Sequence, residues 1–334
     1  MREDLLTDYF VGIDIGGTKV ALCLGDAQGN IIFSRRMKTS SLGRADEGLP
    51  KIVILIEKLL HDYSLELKHI RSIGLACPGP LSIKEGMLIT PPNLPGWHYT
   101  PIVSYLHTRL NLPIFMNNDA NAGALAEWKF GSAKHVDHLI YLTMSTGMGG
   151  GIVINGKLLT GPTNTAGEVG HFVLDPDGAK CPCGQRGCLE VYCGGGNIAR
   201  MLQDMINGGA KTKILDEAQA LEKVDMKSLI MAVKRKDHLA TKVWKDYIEK
   251  LAQGIGTLLM VLNPDAIILG TIAVQTQELI MQPLLAALPR FAWKIPLAHC
   301  FIGASRLGDK IGELGALALA IEGGSSYHDS PSTN

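Results

Sequence analysis

The chain has 334 residues, 46% of them hydrophobic and 19% charged, with 32 basic residues against 32 acidic ones. That length exceeds one ordinary core, so two domains are expected. The zero net charge supplies no overall field to draw nucleic acid or anionic lipid. No apolar run reaches the roughly 18–20 residues that cross a bilayer, and the start MREDLLTDYF lacks a signal peptide's basic head and apolar middle. These features point to a cytoplasmic protein with neither nucleic acid nor membrane as partner.

In chain order, Tyr9 to Ile15 reads as an apolar strand ending at glycines. Val20 to Leu24 is a second strand, Ala27 to Asn30 a turn, and Ile31 to Arg36 a third strand. Leu49 to Tyr63 carries helical spacing, and Ile70 to Ala76 is a buried strand broken by Cys77-Pro78-Gly79-Pro80. Pro91 to Trp97 is a stiff loop, Pro101 to Leu110 a helix, and Ile114 to Met116 a strand entering Asn117-Asn118-Asp119. A second cycle opens at His138 to Met144, again ending at glycines, and resumes at Ile152 to Ile154 before an Asn155-Gly156 turn. Two α/β halves with related openings form an internal repeat. Helices dominate from Asn197 to Leu262, with Ala240, Trp244, Tyr247, Leu251, Ile255 and Leu258 on one face. Ala266 to Leu269 is a buried strand, a last helix lies near Gly312 to Ile321, and a polar Gly/Ser-rich tail follows.

Four constellations carry chemistry. In Asp14-Ile15-Gly16-Gly17-Thr18-Lys19, glycines at a strand turn let backbone N–H groups approach an anion, and Asp14 is suited to a phosphate-bound magnesium ion. The alternative is a glycine hairpin with a solvated Asp and Lys. Thr143 to Gly151 is a second such turn at the equivalent place, and the pair suggests a phosphate chain held by both halves. Asp119, between a buried strand and a helix, suits a base that accepts a hydroxyl proton during phosphoryl transfer, with Asn118 fixing the acceptor. Taken alone, Asp119 reads as a helix N-cap.

The fourth constellation is the cysteine segment. The chain has 7 Cys, an odd number that suggests no disulfide framework. Cys23, Cys77 and Cys300 are scattered, as core cysteines are. Cys181, Cys183 and Cys188, with His171, complete a tetrahedral zinc set, and Cys193 is a competing ligand. A reduced cluster without metal is the other reading. Zinc there would pin the segments bearing Glu168 and Glu190, carboxylates suited to sugar hydroxyls; otherwise these are surface acids.

Together, DIGGTK, PGP, NNDANAG, STGMGGG, GEVGH and CPCGQRGCLE closely resemble the ROK family of repressors and sugar kinases, and PPNLPGW resembles its glucokinase branch. The resemblance spans about Phe10 to Ile321. It implies an actin-like ATPase (ribonuclease H-like) fold, two α/β domains with a cleft between them that takes ATP, Mg2+ and a hexose. By similarity, Asp119 is the base. Gly79, Asn93, Asn118, Asp119, Glu168, His171 and Glu190 meet the sugar. Asp14, Gly16, Gly17, Thr18 and Lys19 serve one phosphate loop and Thr146 and Gly147 the other, while His171, Cys181, Cys183 and Cys188 hold a structural zinc. D-glucose is the expected substrate; N-acetylmannosamine, N-acetylglucosamine, mannose, allose and fructose are alternatives. A homodimer is implied.

The expected domains are residues 1–118 with a C-terminal helix at about 312–322, residues 119–311 with the zinc segment, and a disordered tail at 323–334. Family repressors carry an added helix-turn-helix domain, and only about eight residues here precede the first strand, which favours an enzyme. One position departs from the family: Gly270 is followed by Thr271 where a second glycine is usual near the adenosine, which leaves ATP affinity and donor preference open.

Overall fold

The computed structural model describes residues 8–328. The strands are β1 (Tyr9–Ile15), β2 (Lys19–Gly25), β3 (Ile31–Lys38), β4 (Ile70–Cys77), β5 (Leu81–Ser82), β6 (Met87–Leu88), β7 (Ile114–Asn118), β8 (Leu139–Met144), β9 (Met148–Ile154), β10 (Lys157–Leu158), β11 (Ala266–Leu269) and β12 (Phe301–Ala304). The helices are α1 (Ala45–Asp62), α2 (Ile102–Leu110), α3 (Asp119–Phe130), α4 (Leu189–Cys193), α5 (Gly195–Asn207), α6 (Ile214–Ala218), α7 (Met226–Lys234), α8 (His238–Leu262), α9 (Ile272–Gln275), α10 (Gln277–Ala287), α11 (Lys294–His299) and α12 (Ile311–His328).

Two compact units result. The first holds residues up to Lys134, Gly161–Asn164 and the chain from Asp309 onward; the second holds His135–Thr160 and Thr165–Gly308. Each is built on a five-stranded sheet, with order β3-β2-β1-β4-β7 in the first and β10-β9-β8-β11-β12 in the second. Numbered within each five-stranded sheet, both orders are 3-2-1-4-5. The openings match too: β1 pairs antiparallel with β2 and parallel with β4, as β8 does with β9 and β11. The repeat inferred from two glycine-ended strands is therefore a repeat of topology.

In the first unit, Val11, Ile13, Leu22, Leu24, Ile73 and Leu75 join Ile52, Ile56 and Leu59 of α1 in one buried cluster. Another part of the sheet takes α12, and glycines make that approach possible. A Cβ on Gly12 would lie 2.9 Å from the Leu317 nitrogen, and one on Gly74 would strike the Ala316 carbonyl. Removing side chains from the strands lets the Ala-rich helix lie close. In the second unit, Tyr247, Leu251, Ile255 and Leu259 of α8 enter a cluster with Ile140, Leu142, Ile267 and Leu269.

Two expected boundaries move. The division falls after Lys134 rather than after Asn118, because α3 packs against α12; at their contact a Cβ on Gly315 would lie 3.0 Å from the Ala122 carbonyl. The last helix continues to His328, past the point read as the start of a tail. Gly323 and Gly324 are tolerated there because they pack closely, a Cβ on Gly324 lying 3.1 Å from Ser72 Oγ. Residues 329–334 lie outside the described residues. No helix among the described residues is long and apolar enough to cross a membrane.

Candidate functional site

In the first unit the β1–β2 turn is fixed by its own backbone and by Thr39. Gly16 donates its N–H to the Lys19 carbonyl at 2.9 Å, the Thr39 N–H reaches Thr18 O at 2.9 Å, and Thr39 Oγ1 donates to Gly16 O at 2.6 Å. Among the described residues no acceptor takes the N–H of Gly17 or Thr18, so this rigid turn presents two backbone donors, as an anion site requires. Gly17 is also a contact point: a Cβ there would lie 2.7 Å from Asn93 Cβ. That brings the Pro91–Trp97 loop beside the turn, anchored by the buried Trp97, whose Nε1 donates to Gly43 O at 2.9 Å. Over Gly79 a Cβ would meet nothing within 4 Å.

Asp14 stands at the end of β1, half-buried. Burial raises its pKa to about 6; Lys19 and Arg36 oppose the shift, while the charges of Asp119 and Glu313 add to it. Glu313 is itself buried. Burial alone would raise its pKa, but hydrogen bonds from Arg36 and Ser34 hold it below the usual range. Arg36 binds both Glu313 oxygens at 2.7 Å, through Nε and Nη2.

The strand-to-helix junction corrects one sequence reading. The N-cap of α3 is Asn118, not Asp119: Asn118 Oδ1 accepts from the Asn121 N–H at 2.7 Å. Asp119 is the first helical residue, and its Oδ1 accepts from the Ala120 N–H at 2.9 Å. Because the cap consumes the oxygen of Asn118, the amide NH2 is the end left for a ligand. The Asp119 side chain is exposed, yet enough protein crowds it that desolvation raises its pKa against the lowering effect of nearby backbone N–H groups. Asn117, given no role above, braces the junction: its Oδ1 accepts from Asn118 N at 2.9 Å and Asn121 Nδ2 at 2.8 Å.

The second unit repeats the turn with different braces. Ser145 donates its N–H to Gly147 O at 3.0 Å, and the N–H groups of Thr146 and Gly147 have no acceptor among the described residues. The start of α5 holds the turn from behind, Gly195 N–H bonding Ser145 O and Gly196 N–H bonding Thr146 O, each at 2.8 Å. A Cβ on Gly195 would lie 2.7 Å from Ser145 O. The run Gly194-Gly195-Gly196 was the overlooked signal. Thr271 braces the other side: its hydroxyl donates to the Met144 carbonyl and accepts from the Met144 N–H at 2.8 Å. The side chain is thus tied to the end of β8, with Thr271 at φ 45°.

Glu190 closes the turn from below, Oε2 accepting from the Met148 N–H at 2.9 Å. It lies two residues beyond Cys188, the N-cap of α4. His171, Cys181, Cys183 and Cys188 converge, with all four ligand atoms within 4.8 Å of one another. Cys181 Sγ is 3.7 Å from His171 Nδ1, and Cys183 Sγ is 3.6 Å from Cys188 Sγ. A tetrahedral ion with bonds of roughly 2.0–2.3 Å sets its ligands about this far apart, so the residues fit zinc. Burial pushes the Cys188 thiol up to about 12, a proton that a bound cation would displace. Cys193 is no competitor, being buried with its thiol directed to the Tyr247 carbonyl at 4.0 Å. Glu168 is exposed, and its carbonyl accepts from the His171 N–H at 3.0 Å.

Comparison with known proteins places this geometry. A glucokinase from Thermotoga maritima is 30% identical over 312 residues, 93% of this chain and 97% of that protein. A xylose repressor from Caldicellulosiruptor bescii is 29% identical over 312 residues, covering 93% of this chain and 77% of the repressor. The crystal structure of a ROK family glucokinase from Streptomyces griseus, in complex with glucose and AMPPNP, superposes with a TM-score of 0.77 at 28% identity. It covers 94% of this chain and 99% of that one. The fold is thus the actin-like ATPase fold. The ROK family profile matches residues 10–323, and the chain belongs to the ROK family.

Proposed function

We propose that this protein is a sugar kinase that transfers the γ-phosphate of ATP to a hexose, D-glucose being the first candidate and glucose 6-phosphate its product. The observation that carries the reading is the duplicated turn. Each unit offers two unpaired backbone N–H groups beside a threonine, at 17–18 and at 146–147, and one unit adds a carboxylate of raised pKa at a strand end.

In this reading Asp119 accepts the proton of the attacking hydroxyl, and desolvation makes it a better base than a solvated aspartate. Asn118 donates from its amide to a sugar oxygen, and Glu168 and Glu190 accept from sugar hydroxyls. Gly79 and Asn93 lie along the sugar's approach. Gly16, Gly17, Thr18 and Lys19 take one part of the phosphate chain, Thr146 and Gly147 another. Asp14 would hold Mg2+ or its waters, and that ion would neutralise phosphate charge. Zinc on His171, Cys181, Cys183 and Cys188 would be structural, since four protein ligands leave no open position. With Nδ1 of His171 nearest the cysteine sulfur, Nε2 is the nitrogen left to donate to the sugar.

A coupled ADP-release assay across hexoses and N-acetylhexosamines, with and without chelator, tests the reaction and its substrate together. Turnover of glucose with the highest kcat/KM is expected; a different winner would reassign the sugar. A second reading, a sugar-sensing repressor, is favoured by the xylose repressor at 29% identity. Absence of turnover with every sugar, joined to salt-sensitive binding of an operator-like duplex, would establish that reading instead.

A further inference from the structure

Glu190 is placed to do more than meet the sugar. Its Oε2 takes the Met148 N–H at 2.9 Å, across 42 residues of sequence. The same oxygen crowds Gly147, where a Cβ would lie only 2.6 Å away. No donor among the described residues reaches Oε1. One carboxylate therefore holds the turn at 145–147 with one oxygen and leaves the other open.

We propose that Glu190 is a positioning residue for the second phosphate turn and couples hexose binding to nucleotide binding through its two oxygens. The inference rests on the phosphotransfer reading above. Its sign follows from charge. A carboxylate beneath a phosphate seat repels the phosphate, and each donor on its oxygens withdraws part of that charge. A sugar hydroxyl donating to Oε1 lowers the repulsion and stiffens the side chain that braces the turn. Sugar therefore tightens nucleotide, and by linkage nucleotide tightens sugar by the same factor.

The test is titration of Mg-ADP, which cannot be turned over, with and without glucose at a concentration that saturates each protein. In the unsubstituted protein glucose lowers the Mg-ADP Kd by about fivefold or more. In Glu190→Ala the brace and the charge are lost together, opposing effects on the Kd without glucose, and glucose no longer lowers it. Glu190→Gln keeps an amide oxygen for the Met148 N–H. Its sugar-free Kd stays at or below the unsubstituted value, while the effect of glucose shrinks because the charge is gone.

Full coupling in Glu190→Ala overturns the proposal, as does full coupling in Glu190→Gln. Should the alanine protein fail to fold, the glutamine protein decides alone. An unsubstituted protein that phosphorylates hexose with no coupling refutes only this inference. One that binds no Mg-ADP removes the kinase reading and this inference with it.

Discussion

The carboxyl of Asp14 rests directly on Gly312, leaving no room for a Cβ on the second residue of α12. The next residue, Glu313, is locked to Arg36 by paired 2.7 Å hydrogen bonds. The position of Asp14 thus depends on a helix nearly three hundred residues later. Gly312→Ala is expected to displace the carboxyl and lower kcat by about tenfold to a hundredfold, since small misplacements of reacting groups are that costly. Steady-state kinetics beside a thermal melt will separate this from unfolding; equal kcat would refute it.

Asp14 also sets a pH dependence. Its folded-state pKa of about 6 exceeds the ordinary 3.8, so the native state binds the proton more tightly than the unfolded chain. Its stability penalty is absent below about pH 4, grows between 4 and 6, and is complete above 6. Without magnesium, Asp14→Asn is expected to melt at a higher temperature than the unsubstituted protein at pH 8. That difference should shrink toward pH 4; a constant difference across that range would contradict the assignment.

For Asp119→Asn, kcat is expected to fall by about 10²–10⁴, the usual contribution of a positioned base, while glucose still binds. The raised pKa of Asp119 adds a second expectation. The acid limb of the kcat/KM profile should lie above the ordinary aspartate range. Retention of most activity by the asparagine protein would remove Asp119 from the chemistry.

Thr271 carries a strained backbone, because φ of 45° is costly for a β-branched residue, on the order of 1–3 kcal/mol. The two hydroxyl bonds to Met144 offset that cost. Thr271→Val keeps the branch and loses both bonds, so it should destabilise by roughly 1–3 kcal/mol. Thr271→Ser should remain near the unsubstituted protein, as read by denaturant unfolding. Equal stability of the valine protein would mean that the hydroxyl contributes nothing.

Metal removal gives the last expectation. The protein as purified should carry about one zinc ion per chain, measurable by elemental analysis, and a strong chelator should lower its melting temperature. Cys183→Ser should lose most of the metal. Full occupancy in that variant would transfer the ligand role elsewhere.

What could be read from sequence was what local chemistry dictates. The Cys-x-Cys-x4-Cys spacing and the glycine-ended strands were legible because a tetrahedral site and a tight turn each constrain only a few adjacent residues. The cap of α3 was missed by one position. Asp is a favoured N-cap, and nothing local says that Asn118 takes the role while Asp119 enters the helix. The braces of the second turn were invisible for another reason. Glu190 reaches Met148 across 42 residues and Thr271 reaches Met144 across 127, contacts set by the assembled sheet rather than by neighbours. The place of Thr271 after Gly270 gave no sign that its hydroxyl would tie the strand end.

The placement of α12 has a consequence for how the chain is made. This helix, at Ile311–His328, covers β1 and β4, whose strands leave the ribosome hundreds of residues earlier. The residues of the second unit end at Gly308, and the helix that finishes the first follows them directly. Until that helix arrives, the surface around Gly12 and Gly74 has no helix to cover it. The first unit therefore depends on contacts between the two ends of the described chain, the long-range kind that closes slowly.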